Sequence, residues 1–356
     1  MPFAITRRAA LGACAGTALA SIAPLARAGA QPVRYRLSDL GDLGGGTIDA
    51  NDVNDHGVAV GMATRHDGDR QGVAFVSVDG RMRGLAFRGS GHPSYAVAIN
   101  NTGLAAGYDR GLIYPPTPNI CWTAGPDGIR HELPPTGDGT PFLYIDDIND
   151  AGVVVGGSGT VPLRHADGRT ESLGLPDGFS HGQARALNAG GDVVGVLFGP
   201  SQGTAFTCFD GVLKALELPG VAQHEARGVN RLRQVCGNLR QQGDGDRGRP
   251  FVWQDGRLSL LHWPGRRSAV AQATALNDDG TVVGIAYRKG QNGWGERAFV
   301  AFDHVMYDMN TLLEADQAGQ WVLYRAASIN QRGQIVGRAW REDLQAYRGF
   351  LATPVA

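Results

Sequence analysis

Hydrophobic residues along the chain come in short runs separated by Asn, Asp and Gly, and one arrangement of them recurs seven times. A short apolar run leads into Asn, Gly follows three residues on, and a second Gly stands four residues after that. It reads ANDVNDHGVAVG from Ala50, AVAINNTGLAAG from Ala96, IDDINDAGVVVG from Ile145 and ARALNAGGDVVG from Ala184. It continues as ARGVNRLRQVCG from Ala226, ATALNDDGTVVG from Ala273 and AASINQRGQIVG from Ala326. The anchoring residues are Asn54, Asn100, Asn149, Asn188, Asn230, Asn277 and Asn330, spaced 39 to 53 residues apart. Self-similarity at such a period marks a repeat architecture.

Each unit extends beyond the phrase. A second strand signal follows in Ala74-Phe75, Ala205-Phe206, Pro250-Phe251, Ala298-Phe299 and Gly349-Phe350, with weaker forms at Ile120-Cys121-Trp122 and Pro162-Leu163. Then comes Asp-Gly, at Asp79-Gly80, Asp127-Gly128, Asp167-Gly168, Asp210-Gly211 and Asp255-Gly256, the strongest short hairpin signal between apolar runs. A fourth short strand closes the unit, as in Val212 to Leu218. Four antiparallel strands per repeat, with no segment of helical period, predict an all-β chain: a seven-bladed β-propeller. The last unit stops at its third strand, whereas Tyr35 to Gly41 resembles a fourth strand with no unit before it. Pairing the N-terminal strand with the last blade would close the ring and remove exposed edges. A parallel β-helix is the alternative, but it gives no reason for a strand missing at one end to reappear at the other.

The phrase Ile-Asn-x-x-Gly-x-Val-Val-Gly followed by Ala-Phe resembles the HAF-repeat proteins, described as extracellular repeat proteins. The resemblance spans nearly all of the chain after residue 28 and implies export and a β-repeat fold, without an activity. The family's His-Ala-Phe triplet is altered: Val73, Thr204 or Arg297 stands where its His would be.

Residues 1–28 read as a cleaved signal peptide and 29–356 as one propeller domain. Arg7 and Arg8 form a charged start, Leu11 to Ala26 is apolar and small, and Ala26-Arg27-Ala28 is an A-x-A cleavage site. The paired arginines resemble a twin-arginine signal, with the general secretory route as the alternative, so the expected location is the periplasm or outside the cell. Removing Arg7, Arg8 and Arg27 takes the formal net charge from -1 to -4, which argues against nucleic acid as a partner. No apolar run approaches the roughly 20 residues of a membrane helix. Cys121, Cys208 and Cys236 remain after cleavage, an odd number that leaves at least one thiol free, and they read as small buried hydrophobes.

In this topology the Asn-x-x-Gly and Asp-Gly turns share one face of the disc. Their Asn, Asp and Gly residues are explained by turn geometry, and the same holds for Asp150, Asp278 and Asp279, which resemble calcium ligands. Asp244-Gly245-Asp246 offers only two of the several oxygen donors a calcium loop needs. The opposite face carries long, variable connections with Tyr114, His92, His181, His262, Trp263, Trp294, Trp321 and Trp340 as candidate contacts. A sharper candidate is the position five residues before each Asn: Asp49, Tyr95, Tyr144, Gln183, Glu225, Gln272 and Arg325. On the innermost strand these would ring one mouth of the central channel.

That ring suits a glycan or small polar ligand. Phosphate loops, dinucleotide fingerprints, zinc-protease motifs and nucleophile elbows are absent from the sequence. The expectation is therefore a monomeric, non-catalytic binding or surface-interaction propeller without cofactor or metal, whose partner is a glycan or another exported protein. The alternative is a propeller hydrolase or lyase acting on polysaccharide, with Asp49 and Glu225 as a carboxylate pair across the channel.

Overall fold

The computed structural model describes residues 33–65, 72–85, 92–112, 116–199, 203–218, 221–240, 248–264, 270–290 and 293–355, with side chains omitted at 288–290, 293 and 294. By contacts the chain divides into Met1–Gln31 and Pro32–Ala356; only the second is described. Arg7, Arg8 and the A-x-A site lie outside the described residues.

Pro32–Ala356 is a seven-bladed β-propeller built from four-stranded antiparallel sheets. The innermost strands of blades 1 to 7 are Gly44–Val53, Ser94–Ile99, Tyr144–Ile148, His181–Leu187, Gln223–Val229, Ala271–Leu276 and Trp321–Ile329. Each packs against the innermost strands of both neighbours, and Trp321–Ile329 meets Gly44–Val53 to complete the circle. Blade 7 takes its outer strand from the other end of the chain: Arg34–Asp39 pairs antiparallel with Ala346–Val355, Leu37 opposite Ala352. The expected closure is thus observed. Isolated edges would otherwise remain at both ends of a linear stack.

The core is divided into seven clusters, one at each blade-to-blade interface. Val60, Ala74 and Leu85 of blade 1 pack on Ala96, Ile99 and Trp122 of blade 2, and Val336 of blade 7 joins the cluster holding Ile48, Val53 and Phe75 of blade 1. The second residue of each Ala-Phe signal supplies the largest piece: Phe75, Trp122, Leu163, Phe206, Phe251, Phe299 and Phe350 are all fully buried. Cys121, Cys208 and Cys236 are free and buried within these clusters. Burial pushes the Cys236 thiol up to about 12, in keeping with an inert hydrophobe.

Of the five expected Asp-Gly turns, Asp127-Gly128 has positive φ only at its glycine, whereas Asp79-Gly80, Asp167-Gly168, Asp210-Gly211 and Asp255-Gly256 have positive φ at both residues. That backbone matches the right-handed twist of the flanking strands. Blade 6 makes the same turn with Asp303-His304, which carries no Asp-Gly signal.

The two glycines of the repeated phrase have different causes. The first occupies the left-handed region, with φ between +74° and +83° at Gly57, Gly103, Gly152, Gly191, Gly280 and Gly333; Arg233 takes that conformation in blade 5. The second lies inside the second strand. A Cβ there would overlap the carbonyl oxygen of the residue five before the Asn: Gln183 for Gly195, Glu225 for Gly237, Gln272 for Gly284. It would also sit 2.7 Å from the ring of Phe206, Phe251 or Phe299. Close approach, not turn geometry, demands this glycine.

Candidate functional site

Every innermost strand carries a bulge at the same place. The register skips one residue between Ala50 and Asp52, Ala96 and Ala98, Ile145 and Asp147, Ala184 and Ala186, Ala226 and Gly228, Ala273 and Ala275, and Ala326 and Ser328. An extra residue in one strand of a pair turns the backbone and re-aims side chains. Here the extra residues are Asn51, Val97, Asp146, Arg185, Arg227, Thr274 and Ala327, and all but Ala327 line both of the channel's cavities.

The cavity on the Asn-turn face is about 400 Å3. Its rim is a closed circle of hydrogen bonds. Asn54 Nδ2 donates to the Asn100 carbonyl (3.0 Å), Asn100 to Asn149 (2.9 Å), Asn149 to Asn188 (3.2 Å) and Asn188 to Asn230 (3.0 Å). Asn230 donates to Asn277 (3.1 Å), Asn277 to Asn330 (3.3 Å) and Asn330 back to Asn54 (2.8 Å). Meanwhile Oδ1 holds the local turn, as where His56 and Val58 N–H both donate to Asn54 at 3.0 Å. One side chain thus satisfies its own turn and its neighbour's carbonyl, which is why Ser or Asp would not replace it.

The next residue builds a second, interrupted circle. Asp55 N–H donates to Asn101 Oδ1, Asn101 N–H to Asp150, Arg231 N–H to Asp278, Asp278 N–H to Gln331, and Gln331 N–H to Asp55, all at 2.8 or 2.9 Å. Asp150 and Asp278 are therefore inter-blade acceptors, and no cluster of three metal-ligating side chains occurs among the described residues. Asp244 and Asp246 lie outside them.

Two half-buried carboxylates line this cavity deeper in. Asp52 accepts from Ile99 N–H of the next blade (2.8 Å) and from Ser328 Oγ of the previous one (2.6 Å). Asp147 accepts from Leu187 N–H (2.9 Å) and its neighbour Ile148 N–H (2.8 Å). Burial drives both pKa values upward, to about 6 for Asp52 and about 8 for Asp147, against the pull of these donors.

The cavity on the long-connection face is about 380 Å3. All seven residues of the expected ring lie on innermost strands at this end, but only Tyr95, Tyr144, Gln183 and Arg325 line the cavity. Asp49, Glu225 and Gln272 are outside its lining. Asp49 sits 3.5 Å from the Arg338 guanidinium and Glu225 forms a 2.9 Å ion pair with Arg227. The carboxylate pair expected across the channel is thus two carboxylates each engaged with an arginine.

Tyr108, from the second strand of blade 2, stacks on Tyr95 with ring centroids 5.2 Å apart, and Tyr144 meets Tyr108 edge-on at 6.5 Å. Tyr144 is 42% exposed at the rim. Burial pushes the Tyr108 hydroxyl up to about 12, so it remains a donor at neutral pH. In the wall, Asp146 accepts from Arg185 (2.9 Å) and Gln183 (2.7 Å). Burial raises the Asp146 pKa and Arg185 partly offsets it.

Sequence reasoning missed the bulge residues and Tyr108. A signal for the bulge exists: buried Ala50 and Val53, like Ala184 and Leu187, stand three apart, which an unbroken period of two cannot place on one face. The other candidates divide. Trp321 is buried in the blade 6–7 core with the Arg341 guanidinium 4.6 Å over its ring, and Trp263 packs against the blade 5–6 cluster. Trp340 stacks edge-on with Tyr347 at 5.1 Å. His181 is exposed beside Ser180, His92 bonds the Arg110 carbonyl, and His262 lies against the carbonyl of Trp263. Tyr114 and the Trp294 side chain lie outside the described residues.

Comparison with known proteins bears on the fold and on nothing narrower. No protein-family model matches the chain, and no curated protein does. Among solved structures it is similar to YCF48 bound to D1 peptide, at 11% identity over 91% of this chain and 95% of that one, with a TM-score of 0.53. It is also similar to the uncomplexed acylaminoacyl peptidase of Pyrococcus horikoshii, at 9% identity over 91% of this chain and 52% of that one, with a TM-score of 0.50. The chain spans about half the length of that peptidase. At such identities the shared feature is the fold alone.

Proposed function

We propose that the chain is an exported, non-catalytic binding propeller that takes a sugar or small polar molecule at the channel mouth on the long-connection face. The observation that carries this reading is the Tyr95–Tyr108 stack beside Tyr144, Gln183 and Arg325 around a cavity of about 380 Å3. An aromatic face receives the C–H face of a sugar ring, while amide and guanidinium groups meet its hydroxyls. The cavity falls in the size range of small-molecule sites, roughly 300–1,000 Å3. The carboxylates Asp49, Glu225 and Asp146 are occupied by arginines, which favours recognition over proton transfer. Export rests on the Arg7-Arg8 signal, and membership of the HAF-repeat proteins on the sevenfold phrase.

Binding of neutral and charged monosaccharides to the purified chain, followed by calorimetry, tests the reading. Tyr95→Ala and Tyr144→Ala should each weaken a bound sugar about tenfold, the scale of one lost aromatic contact. Unchanged affinity in both variants, or no binding across the panel, would overturn it.

The polysaccharide hydrolase or lyase reading has one observation in its favour: Asp52 and Asp147, half-buried in the channel with raised pKa values, have the profile of candidate acids. Incubation with glycan pools should then release products that disappear in Asp147→Asn. Intact glycans after prolonged incubation would remove this alternative.

A further inference from the structure

Resting on the binding reading above, we infer that the ligand is anionic: a sugar ring bearing a carboxylate, received by Arg325 with its ring on the Tyr95–Tyr108 stack. The argument begins with charge. The cavity on the long-connection face is lined by three guanidiniums, Arg185, Arg227 and Arg325, and one carboxylate, Asp146. Asp146 is taken by Arg185, and Arg227 has Glu225 from just outside the lining. Arg325 is exposed and has no partner among the described residues.

Arg325 also stands directly opposite Arg338 in the strand register of blade 7. Like charges facing each other across a strand pair are unfavourable. Arg338 has Asp49 at 3.5 Å, whereas Arg325 has no such carboxylate among the described residues. A second observation is independent of this pair: the Arg185 Nε in the cavity wall is buried without a hydrogen-bond partner. Buried donors are nearly always satisfied, and the buried Arg338 Nε is likewise unpartnered, so both guanidiniums are under-satisfied.

The charge is localised rather than compositional. The chain as a whole carries a formal net charge of -1. The lining at the other end of the same channel holds more acids than bases, with Asp52, Asp55, Asp146, Asp150 and Asp278 against Arg185 and Arg227, while Asp147 keeps its proton near neutral pH. An anion is therefore attracted to one mouth and repelled from the other, which fixes its side of entry. The stacked tyrosines separate a sugar acid from a bare anion, because they offer a flat apolar surface that a simple carboxylate would not use.

The test compares D-glucuronate, D-glucose and acetate by calorimetry on the purified chain and on Arg325→Gln. Glucuronate should bind at least about tenfold more tightly than either glucose or acetate, the scale of one charge-assisted hydrogen bond. Its affinity, unlike that of glucose, should fall as salt rises from about 50 to about 500 mM. Arg325→Gln should erase the preference over glucose while leaving circular dichroism unchanged. Equal affinity for glucose and glucuronate would overturn the inference and leave the sugar-binding reading standing. Acetate binding as well as glucuronate would reduce the mouth to a simple anion site and overturn it. If neither sugar binds, both readings fall.

Discussion

The side-chain amide of Asn330 donates to the main-chain carbonyl of Asn54 at 2.8 Å, joining the last blade to the first across 276 residues of sequence. This bond completes the circle of seven and shares the work of closure with the Arg34–Asp39 strand. Replacing Asn330 by Asp keeps an acceptor for the N–H groups of Arg332 and Gln334 but loses the donor. We expect a loss of about 1–2 kcal/mol for Asn330→Asp, against about 2–3 kcal/mol for Asn330→Ala, which also orphans the turn. Denaturant unfolding monitored by tryptophan fluorescence checks both. Unchanged stability in Asn330→Asp would show that the inter-blade bond contributes nothing beyond the turn.

Gly191 and Gly195 belong to one phrase but should respond differently to alanine. Gly191 has φ +83° and open space around its Cα, so Gly191→Ala should cost about 1 kcal/mol in backbone strain. At Gly195 the added methyl would meet the Gln183 carbonyl and the Phe206 ring, both in the core. Gly195→Ala should cost at least about 3 kcal/mol or leave the protein insoluble. Thermal melts of the two variants side by side decide it, and similar shifts would refute the close-approach explanation.

His224 is buried, and its Nδ1 accepts from the Ala205 N–H at 3.1 Å. Burial lowers its pKa to about 4. A depressed pKa means that the folded state binds fewer protons than the unfolded state between about pH 4 and 6.5. Its contribution is complete above about pH 6.5 and is lost as pH falls toward 4. The stability difference between wild type and His224→Asn should therefore shrink from pH 7 to pH 4. A constant difference in urea unfolding across that range would contradict this.

Asp147 has the opposite sign. Its pKa is raised to about 8, so the folded state holds a proton that the unfolded state has released above about pH 4. The stability this confers is full at low pH and is lost as pH rises toward 8. Relative to Asp147→Asn, the wild type should weaken steadily between pH 5 and pH 8.5, measured by urea unfolding at fixed ionic strength. A relative gain over that interval would show that Asp147 ionises readily in the channel.

Much of this architecture is local in origin and was therefore legible in the sequence. Asn54 and its six counterparts, the Asp-Gly hairpins and the apolar runs each act within a few residues, so seven blades of four strands follow from reading them in turn. The unpaired strand near Tyr35 and the incomplete last unit even reveal how the ring closes, because an unsatisfied strand edge must find a partner. What lies in the channel depends instead on residues brought together from separate blades. The bulge places Asp146 beside Arg185 of the next blade, and Asp49 meets Arg338 of blade 7. No spacing along the chain encodes those meetings. They exist because seven innermost strands converge on one axis, where a side chain's neighbours are set by the ring rather than by its own strand.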